Sequence, residues 1–202
     1  MTEKQELRTQ LLARVLPAEQ TLREAGEIIA TSIAGLPEWS KAELILMYMA
    51  MRSEVPIGAI MRRALDEGKR VGVPRICGQD LIFHELSGDV ENLPVRTFGI
   101  REPDSSLPEI DIDFWSRSAP IVTIVPGVAF DRNGNRLGRG RGFYDIFLAR
   151  HSSALRRVGI CLDSAILDIV PAESHDVAMD WVISELRIIR TGPLLDSSVN
   201  RM

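Results

Sequence analysis

At 202 residues and 45% hydrophobic content the chain is long enough for one domain with a sizeable core, and with aromatics at only 5% that core must be aliphatic. Twenty-four Lys and Arg against 28 Asp and Glu leave a formal charge of −4, so no global basic field favours nucleic acid, and a basic segment inside such a chain points instead to a discrete anionic ligand. No apolar run approaches the ~18 residues of a membrane span, the charged start Met-Thr-Glu-Lys-Gln-Glu-Leu-Arg lacks a signal peptide's apolar stretch, and Cys77 and Cys161 are too far apart in sequence for a metal-type pair, so a cytoplasmic protein with free thiols is expected, with no membrane partner.

From the N-terminus, Leu7, Leu11, Leu12 and Val15 recur at helical spacing until Pro17 interrupts them. A second helix is predicted from Pro17 to Ile33, with proline in its first turn and Leu22, Ala25, Ile29 and Ile33 on one face. Gly35, Pro37 and Ser40 read as a turn. Glu43 to Ala50 is a continuous apolar run, the pattern of a strand buried on both faces of a parallel sheet. A helix over Ile57–Leu65, closed by Gly68, and a short strand over Arg70–Pro74 complete a β-α-β unit. Leu81 to Leu86 reads as a third strand. Ser87 to Arg117, rich in Pro, Gly, Asp and Glu, is predicted to be mostly loop, and loops this long often carry function. Pro120 to Val125 is the most apolar strand, and Asp131-Arg-Asn-Gly134 is a turn. A glycine-rich loop follows, then a helix from Phe143 to Arg150 and strands at Val158–Leu162 and Trp181–Glu185. Strands alternating with helices predict a single α/β domain over 1–202 with a mainly parallel sheet, whose ligands belong at the carboxyl ends of the strands.

The loop Gly134-Asn-Arg-Leu-Gly-Arg-Gly-Arg-Gly142 carries the most chemistry. Gly138, Gly140 and Gly142 alternate with Arg139 and Arg141, and Arg136 precedes them. Glycines let backbone N–H groups turn toward an anion, the next helix offers its positive end, and arginines add forked charge suited to phosphate oxygens. No Gly-Lys-Ser/Thr follows, so this is not a Walker A loop, and the spacing is not that of a dinucleotide fingerprint. Taken alone, the loop also fits a surface turn with solvated arginines. Asp145, in the first turn of the following helix, could hold Mg²⁺ or simply stabilise the helix N-terminus. His175-Asp176 lies in a polar stretch that could equally be a solvated turn. Lys4 and Arg8, at i and i+4, share one face of the first helix, which could be a solvent-facing stripe.

The segment Val125-Pro-Gly-Val-Ala-Phe-Asp-Arg-Asn-Gly-Asn-Arg-Leu-Gly-Arg-Gly-Arg-Gly-Phe-Tyr-Asp145 closely resembles the signature of the 5-formyltetrahydrofolate cyclo-ligase family, also called 5,10-methenyltetrahydrofolate synthetases. Lys4-x-x-Leu7-Arg8, Glu54-Val55, Val73-Pro74-Arg75, Glu102-Pro103 and His175-Asp-Val-Ala-Met-Asp-Trp-Val-Ile-Ser-Glu185 fall in the family's order, so the likeness runs from Lys4 to Glu185. The resemblance implies a three-layer α/β/α sandwich related to phosphosugar-isomerase folds. It implies conversion of 5-formyltetrahydrofolate, with or without a polyglutamate tail, and ATP into 5,10-methenyltetrahydrofolate, ADP and phosphate, with Mg²⁺, in a monomer or weak dimer. By the same resemblance Arg139 and Arg141 are catalytic. ATP falls to Lys4, Arg8 and the run Arg136, Leu137, Gly138, Arg139, Gly140, Arg141, Gly142, Phe143 and Tyr144. The folate falls to Arg8, Glu54, Arg139, Gly140, Arg141, Gly142 and Phe143, and Mg²⁺ to Asp145 and Asp176.

Three positions depart from the family pattern: Ile57 where Thr is frequent, Ala165 where Gln is common, and Phe143 in place of the first of two tyrosines. Loss of a hydroxyl and an amide near a polar ring bears on substrate choice. Two alternatives to a working cyclo-ligase therefore stand beside it: a paralogue that keeps the nucleotide site as a regulator, and a phosphosugar isomerase on a similar sandwich, which would need a base and no ATP.

Overall fold

Leu44, Ile45 and Leu46 are at most 1% exposed, and successive residues of this strand face opposite cores. Ile45 packs with the cluster that contains Leu22, Ile29 and Ile60, whereas Leu44 and Leu46 pack with Phe83, Phe147 and Leu148. A strand buried on both faces needs a layer of helices on each side, and the structure has that arrangement. It is a computed structural model, and it describes residues 2–14, 16–86, 90, 93–96 and 99–192.

The helices are α1 (Glu3–Leu12), α2 (Glu19–Ala34), α3 (Pro37–Lys41), α4 (Gly58–Asp66), α5 (Ile112–Trp115) and α6 (Phe143–Arg150). The strands are β1 (Leu44–Leu46), β2 (Arg70–Cys77), β3 (Asp80–Glu85), β4 (Ile121–Pro126), β5 (Ala129–Asp131), β6 (Arg136–Leu137), β7 (Leu155–Ile160), β8 (Ile166–Leu167), β9 (Trp181–Ile183) and β10 (Ile188–Arg190). Seven strands form the main sheet in the order β10-β9-β7-β4-β1-β2-β3. Its five inner strands run parallel, and β3 and β10 close the two edges antiparallel. Helices α2 and α4 cover one face, α5 and α6 the other, which is the expected α/β/α sandwich.

Several boundaries differ from the sequence reading. Helix α2 starts at Glu19 behind an Ala18 cap, so Pro17 lies ahead of its first turn. Leu12 is 45% exposed and does not extend the apolar face of α1, and Val15 lies outside the described residues. The turn expected around Pro37 is the one-turn helix α3, with proline in its first turn and Trp39 buried, its indole N–H donating to Glu67 at 2.8 Å. The run Glu43–Ala50 pairs as a strand only over Leu44–Leu46, after which the chain leaves the sheet while staying buried. Strand β2 instead runs through Pro74 to Cys77. Strand β1 pairs with β2 no further than Gly72, so beyond that point β2 is uncovered on one side, where a strand tolerates proline. Strand β7 begins at Leu155, three residues before the predicted start.

A second, three-stranded sheet, β6-β5-β8, was not foreseen. It sits beside the carboxyl end of β4 and presents the glycine loop. Asp131 anchors it: this fully buried carboxylate accepts from Asn133 N, Asn135 N and Asn135 Nδ2, each at 2.9 Å, and from Val170 N at 3.0 Å. Charged groups tolerate such burial only when their lone pairs are satisfied. Phe130, also fully buried, wedges the small sheet against the large one. A Cβ on Gly159 would lie 2.4 Å from its Cε1, and a Cβ on Gly127 2.6 Å from its Cζ. Gly159→Ala should therefore force the ring to shift and cost about 1–3 kcal/mol by overpacking. A thermal melt should fall by about 2–4 °C per kcal/mol, and an unchanged midpoint would show that the wedge yields freely.

Candidate active site

Strand β6 leads into the loop through Leu137, which is fully buried with Leu11, Ala129 and Val170 beneath the site. Leu137 therefore supports the cradle from below. Past it, a Cβ on Gly138 would sit 2.6 Å from Arg136 Nη1. Gly140 and Gly142 take positive φ of 91° and 73°. Both are left-handed conformations that an L side chain would strain, so the loop turns as it does because these positions are glycine. Gly142 is the N-cap of α6 and no side chain caps that end, which leaves first-turn N–H groups for an anion.

Helix α1 closes the site from the other side. A Thr2–Gln5 capping box starts it. Leu7 and Leu11 pack on the small sheet, and Lys4 and Arg8 point to the cavity. Arg8 Nε donates to the Gly138 carbonyl at 2.8 Å, and its guanidinium lies against Gly140. Lys4 Nζ pairs with Asp176 in a contact with little solvent access. The i, i+4 basic stripe thus faces the glycine loop.

The cavity enclosed in this way has a volume of about 530 Å³. It brings together Lys4, Arg8, Glu54, Arg136, Gly138 to Tyr144, Asp145 and Asp176. It opens at the carboxyl ends of β1, β2 and β4, the position expected for an α/β sheet. Arg136 is nearly buried, and its Nη2 donates to both carboxylate oxygens of Asp145 at 2.9 Å. Arg139 donates through Nε to Glu54 Oε1 at 3.1 Å and through Nη2 to Ser53 Oγ at 2.6 Å. The other oxygen of Glu54 accepts from Met51 N at 2.9 Å.

Two tyrosines floor the cavity. The Tyr48 hydroxyl donates to the Val55 carbonyl. The Tyr144 hydroxyl is buried without a partner among the described residues. Burial, then the nearby Glu54 charge, pushes both phenols above their ordinary value, so each remains a proton donor. Tyr48, Glu102, Pro74 and Ile76 line the cavity and carried no site role in the sequence reading. Tyr48 was hidden in a run that reads as strand, and Glu102, though it matches the family's pattern together with Pro103, had no role attached to it. Conversely, Ile57 is buried in the core and does not reach the cavity, and Ala165 lines a smaller neighbouring cavity of about 370 Å³. Cys161 is buried and its thiol pushed up by that burial, so it is no ready nucleophile, and Cys77 is exposed and free.

Asp145 and Asp176 face the same cavity, each already balanced by a cation. Among the described residues no cluster of three or more His, Cys, Asp or Glu could hold a metal alone. Mg²⁺ characteristically takes one or two carboxylates and completes its shell with water and phosphate oxygens, so this donor set fits an ion that arrives with a polyphosphate.

A sequence profile of the 5-formyltetrahydrofolate cyclo-ligase family matches residues 1–185. The chain is 31% identical to a Schizosaccharomyces pombe protein named probable 5-formyltetrahydrofolate cyclo-ligase, over 80% of this chain and 84% of that one. It is 32% identical to the 5-formyltetrahydrofolate cyclo-ligase of Mycolicibacterium smegmatis, over 91% of this chain and 94% of the relative. The NMR structure of Aquifex aeolicus 5,10-methenyltetrahydrofolate synthetase matches with a TM-score of 0.78 at 26% identity, covering 100% of both chains. No described helix is long and apolar enough to cross a membrane.

Asp176 yields a test of how α1 is held. Burial works to raise its pKa, but the Lys4 ammonium and the Glu173 N–H outweigh it and hold the carboxyl below its ordinary value. A depressed carboxyl stabilises the fold above its unfolded pKa, and that contribution fades as pH falls through the folded value. The stability difference between wild type and Lys4→Met should therefore be widest near pH 7 and shrink as the pH drops below about 4. Denaturant melts across that range check it, and a difference that grows toward acid would contradict the assignment.

Proposed function

We propose that this chain, which belongs to the 5-formyltetrahydrofolate cyclo-ligase family, is a ligase that uses ATP to close 5-formyltetrahydrofolate to 5,10-methenyltetrahydrofolate, releasing ADP and phosphate. The observation that carries this reading is one continuous cavity with a basic, glycine-lined end and an apolar end. The formyl oxygen takes the γ-phosphoryl group, and the O–P bond forms as the bond to ADP breaks. Folate N10 then attacks the activated carbon, which loses the phosphorylated oxygen as phosphate. This chemistry asks the protein for positioning and for neutralisation of the transferring phosphoryl charge.

The basic end supplies both. Backbone N–H groups from Gly138 to Gly142 and the start of α6 receive the nucleotide phosphates, with Lys4 and Arg8 alongside. Arg139 and Arg141 neutralise the transferring phosphoryl group. Arg136, tied to Asp145, acts on the nucleotide by holding that carboxylate in place. Asp145 and Asp176 would hold Mg²⁺, which would supply charge neutralisation for the phosphates. Glu54 lies between the two ends, bound to Arg139, and so links the folate side to the phosphoryl side. Because Ile57 is in the core and off the cavity wall, its departure from the family pattern removes no contact from the folate end.

The test is incubation of the purified chain with 5-formyltetrahydrofolate and Mg-ATP, following the near-ultraviolet absorbance of the methenyl product. Product should require folate, nucleotide and divalent metal together. Arg141→Ala should lower turnover by about 100-fold or more while ADP affinity changes by less than about tenfold, because an arginine on a transferring phosphoryl group matters most in the transition state. Retained turnover with collapsed ADP affinity would make Arg141 a nucleotide anchor only. No methenyl product from folded protein with any divalent metal would sink the cyclo-ligase reading.

A further inference from the structure

Arg139 is a long side chain with a third of its surface exposed. An arginine of this kind samples many rotamers, and a group that must meet a transition state does so better when it is already held. What holds Arg139 is the turn at 51–54. Glu54 N donates to Met51 O, and Met51 N donates back to Glu54 Oε2, both at 2.9 Å, so the turn is closed twice. Just beyond it the Val55 carbonyl accepts from the buried Tyr48 hydroxyl, which ties the turn to the chain leaving β1.

Two acceptors on this turn meet one edge of the guanidinium: Glu54 Oε1 takes Nε at 3.1 Å, and Ser53 Oγ takes Nη2 at 2.6 Å. One acceptor alone lets a guanidinium pivot about the contact, whereas two on one edge fix its plane. A guanidinium carries five N–H donors in a rigid plane, so after these two contacts both N–H groups of Nη1 and one of Nη2 form a second fork, the kind that takes two phosphate oxygens at once. Glu54 itself lines the main cavity, and each of its oxygens keeps a lone-pair site for a folate donor. Ser53 differs from it. Ser53 lines the smaller neighbouring cavity and is not among the described residues lining the main one, while Arg139 lies on the wall common to both. It reaches the main cavity only through Arg139.

We propose that Ser53 is a positioning residue for the reaction: its hydroxyl fixes the plane of Arg139 and so sets the second fork for the phosphoryl group before ATP reacts. This rests on the role given to Arg139 above and adds to it a residue that touches neither substrate. Glu54 supplies the charge that holds the arginine, and Ser53 supplies the second point that stops it turning.

The experiment is a double-mutant cycle on the full chain, with wild type, Ser53→Ala, Arg139→Ala and the double variant, and with Ser53→Thr as the variant that keeps the hydroxyl. Methenyl formation gives kcat and KM, ADP release without folate gives the uncoupled rate, and titrations give the affinities for 5-formyltetrahydrofolate and MgADP. Ser53→Ala should lower kcat by about tenfold, the loss expected for a hydrogen bond to a charged group, and leave both affinities within about twofold and the melting midpoint unchanged. Ser53→Thr should stay within about threefold of wild type, and in the Arg139→Ala background the loss of the hydroxyl should change kcat by less than about twofold. An unchanged kcat in Ser53→Ala overturns the inference, and so does a Ser53→Thr variant as slow as Ser53→Ala. An equal loss in both backgrounds also overturns it, because Ser53 would then support the site by a route other than Arg139. Faster ADP release without folate in Ser53→Ala overturns it as well, since Ser53 would restrain Arg139 instead of aiming it. Wild type that yields no methenyl product overturns the cyclo-ligase reading and this inference together, whereas active wild type with equally active Ser53→Ala overturns the inference alone.

Discussion

Helix α1 is too short and too polar to hold itself in place. Ten-residue helices are marginal in water, and α1 buries little beyond Leu7 and Leu11. What fixes it is a pair of charge-assisted contacts one turn apart: Lys4 to Asp176, and Arg8 to the Gly138 carbonyl. They set the position of one wall of the cavity, the shape of the glycine loop and the location of a candidate metal carboxylate. The loop in turn depends on a rigid base, which the Asp131 turn and the Phe130 wedge provide. The site is thus built from segments more than a hundred residues apart, joined through the small second sheet.

The cavity's polarity follows from the same arrangement. Cations gather where α1 meets the glycine loop, and aliphatic side chains gather where β2 and β3 extend past the end of β1. The Glu54–Arg139 pair stands between them, and the buried Tyr144 hydroxyl keeps its proton nearby. In a partly enclosed site each of these charges acts through less water than it would at the surface, so positioning counts for more. The Arg136–Asp145 pair illustrates the cost side: with Arg136 nearly buried, neutralising Asp145 would leave an uncompensated cation, so the pair holds this part of the loop together.

Much of this was legible in the sequence. The apolar face of α2, the buried strand at Ile121–Val125 and the β1-α4-β2 unit were written in periodicity and run length. The glycine–arginine loop by itself suited either an anion or a solvated surface turn, and its long match to one family pointed to the chemistry. Other features were not legible, for identifiable reasons. Hydrophobicity reports burial and not pairing, so Met47 and Tyr48, which are buried outside the sheet, read as strand. Strands of two or three residues, such as β6, β8 and β10, are shorter than any periodicity can resolve. Arg136 carries the same charge as its neighbours, and only its reach to Asp145 distinguishes it as a positioning residue. Glu102 stands out in the sequence only through its match with Pro103 to the family's pattern, and its burial at the cavity wall shows only in the fold.

Hydrogen exchange with and without MgADP tests the joint cradle of α1 and the glycine loop most directly. Nucleotide should slow exchange in residues 3–12 and 138–142 together, since the same phosphates draw on both. Protection confined to 138–142, with α1 exchanging as in the nucleotide-free protein, would contradict it.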